Sequence, residues 1–119
     1  MAKILVVDDA AFMRLRAVKL LEAAGHTVVE AENGRLAVDA YGRERPDAVL
    51  MDITMPEMDG LEALAEIRRI DPTARVAMLT AMGQQSIVMD AIKRGARDFV
   101  VKPFAPDRVI GAVNKLLAI

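Results

Sequence analysis

A three-layer α/β sandwich around a five-stranded parallel sheet is the fold this 119-residue sequence predicts. Short β-branched runs alternate with longer amphipathic stretches from end to end. The inner runs are continuously apolar, as strands covered on both faces must be. No linker, solenoid-type repeat or low-complexity segment breaks the alternation, so residues 1–119 read as one domain.

The elements follow in order. "KILVV" (Lys3–Val7) is a strand buried on both faces. "AFMRLRAVKLLEAAG" continues as a helix with Phe12, Leu15, Val18 and Leu21 at helical spacing and Gly25 as its stop. "TVVEA" is the second strand; Asn33 caps a helix that runs to about Arg45 and is closed by Pro46. "DAVLM" (Asp47–Met51) is the third strand, and a loop with Pro56 and Gly60 leads to a helix carrying Leu61, Leu64 and Ile67. "RVAML" (Arg75–Leu79) precedes a helix over about Gln84 to Arg94 that ends at Gly95, and "DFVV" (Asp98–Val101) is the last strand. After "KPFAPD" a final helix presents Val109, Val113 and Leu116. Five uninterrupted βα units of this length predict flavodoxin-like winding with strand order 2-1-3-4-5. Ligands then bind at the carboxyl ends of strands 1 and 3, where the winding reverses.

Bulk composition narrows the chemistry. With 54% hydrophobic and 28% charged residues the chain is a compact globule rather than a disordered segment. A formal net charge of −1 argues against general nucleic-acid binding, which needs a cationic excess. There is no cysteine, hence no disulfide framework and no thiolate metal site. The start "MAKILVV" is neither a signal peptide nor a membrane span, so the expected location is the cytoplasm, away from the membrane.

The two switch-point strands both end in acids: Asp8 and Asp9 after the first, Asp52 after the third. Adjacent anions about 4 Å apart repel by roughly 1 kcal/mol in water and about 4 kcal/mol near a protein surface. Something cationic therefore belongs between them, and removing either Asp8 or Asp9 is expected to stabilise the metal-free chain. The fourth strand delivers Thr80 and the fifth Lys102 to the same rim. Three carboxylates and one ammonium sum to −2, the complement of one divalent cation. An oxygen-only donor set selects a hard ion, Mg²⁺ or Mn²⁺, over zinc. Each residue alone has a plainer role, as a loop acid, a strand-end hydroxyl or a solvated lysine; their convergence is what points to a metal–phosphate site.

Other phosphate chemistries do not fit. "VVDDAAFM" has no Gly-rich loop, which excludes a P-loop and a dinucleotide fingerprint. A haloacid-dehalogenase-type phosphatase needs a second acid two residues beyond its nucleophile, where this chain has Thr54. His26, the one histidine, falls in the turn after the first helix, at the opposite edge of the sheet from the acids, and reads as an exposed turn residue.

The strings "LVVDDAAFMR", "MDITMPEMDGLEAL", "LTAMGQQSIVMDAIKRGARDF" and "VVKPF" make the chain resemble a response-regulator receiver domain over its full length. "TAMGQQSIVMDAIK" resembles the CheY-like chemotaxis branch of Gram-positive and thermophilic bacteria. The resemblance implies that Asp52 accepts a phosphoryl group from the phosphohistidine of a partner kinase or from a small acyl phosphate. It implies that Asp9, Asp52 and the Thr54 backbone carbonyl ligate Mg²⁺, with Asp8 acting through water. Thr80 and the Ala81 N–H would bind phosphoryl oxygens, Lys102 would balance charge, and the Lys102–Pro103 bond would be cis. Phe99 takes the place of the family's switch aromatic, with core packing as its plainer reading. Thr54 and Met82 occupy the positions that tune dephosphorylation; neither can orient a water well, so slow self-hydrolysis is expected.

Three functions follow. The first is a monomeric, phosphorylation-controlled binding module that is not itself an enzyme. Its output face, made by the fourth helix, fifth strand and fifth helix, would bind a partner such as the flagellar motor switch. The second is a receiver excised from a longer transcriptional regulator or enzyme; the ending "NKLLAI" fits both. The third, a Mg²⁺-dependent phosphatase, lacks a second acid to protonate a leaving group.

Overall fold

The computed structural model describes residues 2–53, 55, 58–81 and 85–119. Among the described residues five strands alternate with five helices: β1 (Lys3–Val7), α1 (Ala11–Ala23), β2 (Thr27–Ala31), α2 (Gly34–Glu44), β3 (Ala48–Asp52), α3 (Gly60–Ile70), β4 (Val76–Ala81), α4 (Gln85–Lys93), β5 (Asp98–Lys102) and α5 (Pro106–Leu117). All strand pairs are parallel and the order is β2-β1-β3-β4-β5, the flavodoxin-like winding expected. Right-handed crossovers between parallel strands place helices on both faces. Ala17, Leu21, Val109, Val113 and Leu116 of α1 and α5 pack with Ile4, Val6, Leu50 and Leu79. Ala37, Tyr41, Leu64, Ile67 and Ala91 of α2, α3 and α4 pack with Leu5, Val7, Met51 and Met78. Alternation along each strand splits the apolar runs between these two cores, which is why the inner strands carry no polar positions until they reach the rim.

Sequence periodicity misplaces one face. Val18 and Leu21 of α1 are buried, but Phe12 is 71% exposed and Leu15 is exposed as well. A spacing of three falls 60° short of a full turn at each step, so the four residues cover half the helix circumference. The buried stripe is Ala17, Val18 and Leu21 instead. Strand ends differ for a related reason. β3, β4 and β5 extend to Asp52, Ala81 and Lys102, beyond the apolar runs that predict them, which end at Met51, Leu79 and Val101. The pairs Asp52↔Leu79, Thr80↔Val101 and Ala81↔Lys102 continue the ladders, because backbone hydrogen bonding is indifferent to the polarity of the side chain.

The helix ends follow local chemistry. Asn33 accepts a hydrogen bond from the Leu36 N–H at 2.9 Å, and α2 closes on Arg45 in the left-handed region, φ 46°. Asp59 caps α3 by accepting from the Glu62 N–H at 2.9 Å. "DGLE" is an acid-type variant of a capping box that the sequence reading passed over. His26 is half-buried rather than exposed: its Nδ1 accepts from the Ala2 N–H at 3.3 Å, which ties the start of the chain to the turn before β2. Among the described residues no helix is long and apolar enough to cross a membrane.

Candidate phosphoacceptor and metal site

Side-chain alternation decides what meets at the rim. On β1 the series Ile4, Val6 continues to Asp8; on β3 Leu50 continues to Asp52; on β5 Val100 continues to Lys102. All three polar residues therefore leave the sheet on the α1/α5 side. Lys102 Nζ donates to Asp8 Oδ2 at 2.9 Å and to Asp52 Oδ2 at 3.1 Å. Asp8 is 1% exposed, and its second oxygen, Oδ1, accepts from the Ala10 N–H at 2.9 Å. Asp9 stays exposed at the mouth. One carboxylate oxygen each from Asp8, Asp9 and Asp52 lies within 4.8 Å of the other two.

This donor set fits a hard divalent cation. It is three carboxylates with no nitrogen or sulfur ligand, and one ammonium cannot neutralise three negative charges. Burial pushes the Asp52 carboxyl up to about 6; Asp8 adds to the rise while the charge and hydrogen bond of Lys102 oppose it. Burial works against the Lys102 ammonium too, but its hydrogen bond to Asp8 and the charge of Asp52 outweigh that and raise its pKa. A carboxylic acid whose pKa is raised by burial beside specific charged neighbours is a marker of a functional site.

The remaining residues are placed as follows. Thr80 is buried at the end of β4, with its hydroxyl donating to the Ala81 carbonyl at 3.2 Å, and Ala81 is exposed beside it. Thr80 and Phe99 belong to the α4 side of the sheet, since Met78 pairs with Phe99 and Thr80 with Val101. Phe99 is 38% exposed. The Lys102–Pro103 peptide bond is cis. Thr54 and Met82 lie outside the described residues.

Two supporting contacts escaped the sequence reading. Arg14, one turn into α1, donates through Nη1 to the Asp8 carbonyl at 2.7 Å and through Nε to Glu30 at 3.0 Å. It fastens the acid-bearing end of β1 to α1 and β2. Gly60 donates its N–H to the Ile53 carbonyl at 2.6 Å, and a Cβ there would overlap the Asp52 carbonyl oxygen. Only glycine lets α3 begin directly beneath Asp52. The "MDG" string carried that signal for Gly60; nothing local marked Arg14.

Comparison with known proteins agrees with this geometry. A family model described as the response regulator receiver domain matches residues 4–114. The chain is 60% identical to chemotaxis protein CheY of Bacillus subtilis over 116 residues, 97% of each chain. It is 54% identical to chemotaxis protein CheY of Thermotoga maritima over 115 residues, 96% of each. Among solved structures, the receiver domain of NtrX from Brucella abortus superposes with a TM-score of 0.93 at 35% identity, covering 97% of this chain and 98% of that one. Sheet order, acidic rim and family match agree: the chain belongs to the receiver domains of two-component response regulators.

Proposed function

We propose that residues 1–119 form one receiver unit that accepts a phosphoryl group on Asp52 and thereby switches the binding of an output protein. The donor is the phosphohistidine of a histidine kinase or a small acyl phosphate. The observation that carries this reading is the Lys102 ammonium shared between Asp8 and Asp52 at 2.9 and 3.1 Å, beside the carboxylate of Asp9.

An Asp52 carboxylate oxygen attacks phosphorus as the P–N bond of phosphohistidine breaks. The electron pair leaves on the imidazole nitrogen, which takes up a proton from solvent. Such transfers depend on positioning and on neutralising charge at the equatorial oxygens. Lys102 is placed to follow the charge that builds on the phosphoryl oxygens, while the Thr80 hydroxyl and the Ala81 N–H bind them. Asp9 and Asp52, with the Thr54 carbonyl, would hold Mg²⁺ (or Mn²⁺) and Asp8 would act through water; when bound, the ion neutralises the acid cluster and the incoming phosphoryl oxygens. Neither Thr54 nor Met82 offers a group that orients water well, so the aspartyl phosphate hydrolyses slowly.

The output is a change on the face of α4, β5 and α5, where Met89, Ile92, Phe99 and Val101 are exposed. The names of the Bacillus and Thermotoga relatives support a chemotaxis role; in that role the proposed output partner is a flagellar motor component and the proposed location the cytoplasm. Intact-mass measurement after incubation with acetyl phosphate and Mg²⁺ tests the central step. One added phosphoryl group is expected, absent in Asp52→Asn and absent in chelator. Modification that survives both would refute the assignment.

A further inference from the structure

Three backbone hydrogen bonds among the described residues hold the segment that follows Asp52. The Ile53 N–H donates to the Leu79 carbonyl at 3.1 Å, and the Gly60 N–H donates to the Ile53 carbonyl. The third comes from a helix outside the acid cluster: the N–H of Gly34, the first residue of α2, donates to the Met58 carbonyl at 3.0 Å. A helix leaves its first four N–H groups without internal partners. In α2 the Asn33 side chain takes that of Leu36, and the loop behind Asp52 takes that of Gly34.

This contact has no slack. A Cβ on Gly34 would overlap the Met58 carbonyl oxygen and crowd its carbonyl carbon, at 2.8 Å. The obstacle is backbone, so a rotamer change cannot relieve it; the Met58 segment itself must move. Gly42, in the same helix, has nothing within 4 Å of its would-be Cβ. Helix propensity alone makes alanine better than glycine at both positions. The glycine at position 34 therefore serves the approach to Met58 rather than the helix.

We propose that Gly34 is a positioning residue for the chemistry at Asp52. By docking the start of α2 on Met58, it sets where the loop after Asp52 lies, and with it the Asp52 carboxylate relative to Asp8, Asp9 and Lys102. This rests on the reading of Asp52 as phosphoacceptor. Displacements near 1 Å at a reacting centre can cost about a hundredfold in rate. Residues that orient metal ligands cost about 10- to 100-fold in affinity when changed.

The test compares Gly34→Ala with two controls: Gly42→Ala, which adds the same methyl in open space, and Asn33→Ala, which loosens the start of α2 without a collision. Mg²⁺ affinity is measured by calorimetry and phosphoryl uptake from acetyl phosphate by mass. Gly34→Ala is expected to raise the Mg²⁺ dissociation constant and slow uptake by about tenfold or more, with both controls within about twofold of the unaltered chain. A Gly34→Ala protein that matches the unaltered chain overturns the proposal, and so does an equal loss in Asn33→Ala. If Gly34→Ala does not fold, hydrogen exchange on the unaltered chain decides. Saturating Mg²⁺ should then raise protection of the Gly34 amide several-fold and leave the Gly42 amide unchanged; no change at Gly34 overturns the proposal. An unaltered chain that takes up no phosphoryl group refutes the reading of Asp52 itself and removes the chemistry Gly34 is said to position.

Discussion

Lys102 Nζ lies 3.1 Å from Asp52 Oδ2, joining side chains that stand 50 positions apart in the chain. The same ammonium holds Asp8, so it compensates two buried carboxylates at once. Removing one partner of a buried charge group leaves the others unpaired, at a cost of about 3 kcal/mol or more. Lys102→Ala is therefore expected to lower the melting temperature in chelator and to take up acetyl phosphate far more slowly. Added Mg²⁺ should recover most of the stability, because it meets the same anions, but not the rate. Calorimetric melts with and without Mg²⁺, beside mass-based uptake, check both parts.

Asp52 makes the metal-free protein sensitive to pH. Its folded pKa, about 6, stands above the ordinary 3.8, so the folded state holds the proton more tightly than the unfolded chain. Stability then falls as pH rises from about 4 to about 6 and levels off above that. In chelator, Asp52→Asn should melt above the unaltered chain at pH 7.5, with the gap closing by pH 4. A gap independent of pH would show that the asparagine acts through packing.

The two adjacent acids differ in sign. Asp9 is exposed among like charges, so its removal is expected to stabilise the metal-free chain, whereas the contacts of Asp8 reverse the sign expected there. Asp8 accepts from the Ala10 N–H and from Lys102, so its loss leaves the ammonium with Asp52 as its one carboxylate partner among the described residues and takes the acceptor from a backbone donor. In chelator, Asp9→Ala should melt slightly higher and Asp8→Ala clearly lower. Both should bind Mg²⁺ more weakly, by calorimetric titration.

Thr80 and Phe99 leave the sheet on the same side, away from Lys102. If phosphoryl binding draws Thr80 to the rim, the half-exposed Phe99 ring can turn inward. Burying a further 50–100 Å² gives about 1–2.5 kcal/mol, whereas a shift from 1:99 to 99:1 needs about 5.5 kcal/mol. Phe99→Ala should still accept phosphate yet lose part of the phosphate-dependent gain in partner affinity, and Thr80→Ala nearly all of it. Titration of an output-partner peptide, with and without a phosphoryl mimic, separates the two; an unchanged gain in Phe99→Ala would make the ring ordinary packing.

Arg45 closes α2 with φ 46°, a region that costs an L-residue about 1–2 kcal/mol. Its ion pair with Asp71, 3.7 Å long and mostly exposed, returns little. Arg45→Gly should stabilise the protein by about 0.5–1 kcal/mol after the added flexibility of the unfolded chain is counted, with phosphoryl uptake unchanged. Denaturant melts measure it.

Much of this protein is written locally. Continuous apolar runs specify strands covered on both faces, and their alternation with amphipathic stretches specifies a parallel sheet. The acids at the ends of β1 and β3 mark the site because the winding reverses between those two strands. What tertiary structure alone decided are relations between distant segments. Which side of α1 is buried depended on the packing of β1 and α5, and a spacing of three pointed Phe12 and Leu15 the wrong way. Strands ran on past their apolar residues because a neighbour's backbone was there to pair with, something no single strand encodes. The side chain of Arg14 found the Asp8 carbonyl, and the backbone of Gly34 found that of Met58, only after the helices had docked. Local sequence sets periodicity and turn chemistry, while a contact between segments far apart exists only once the chain has closed its core.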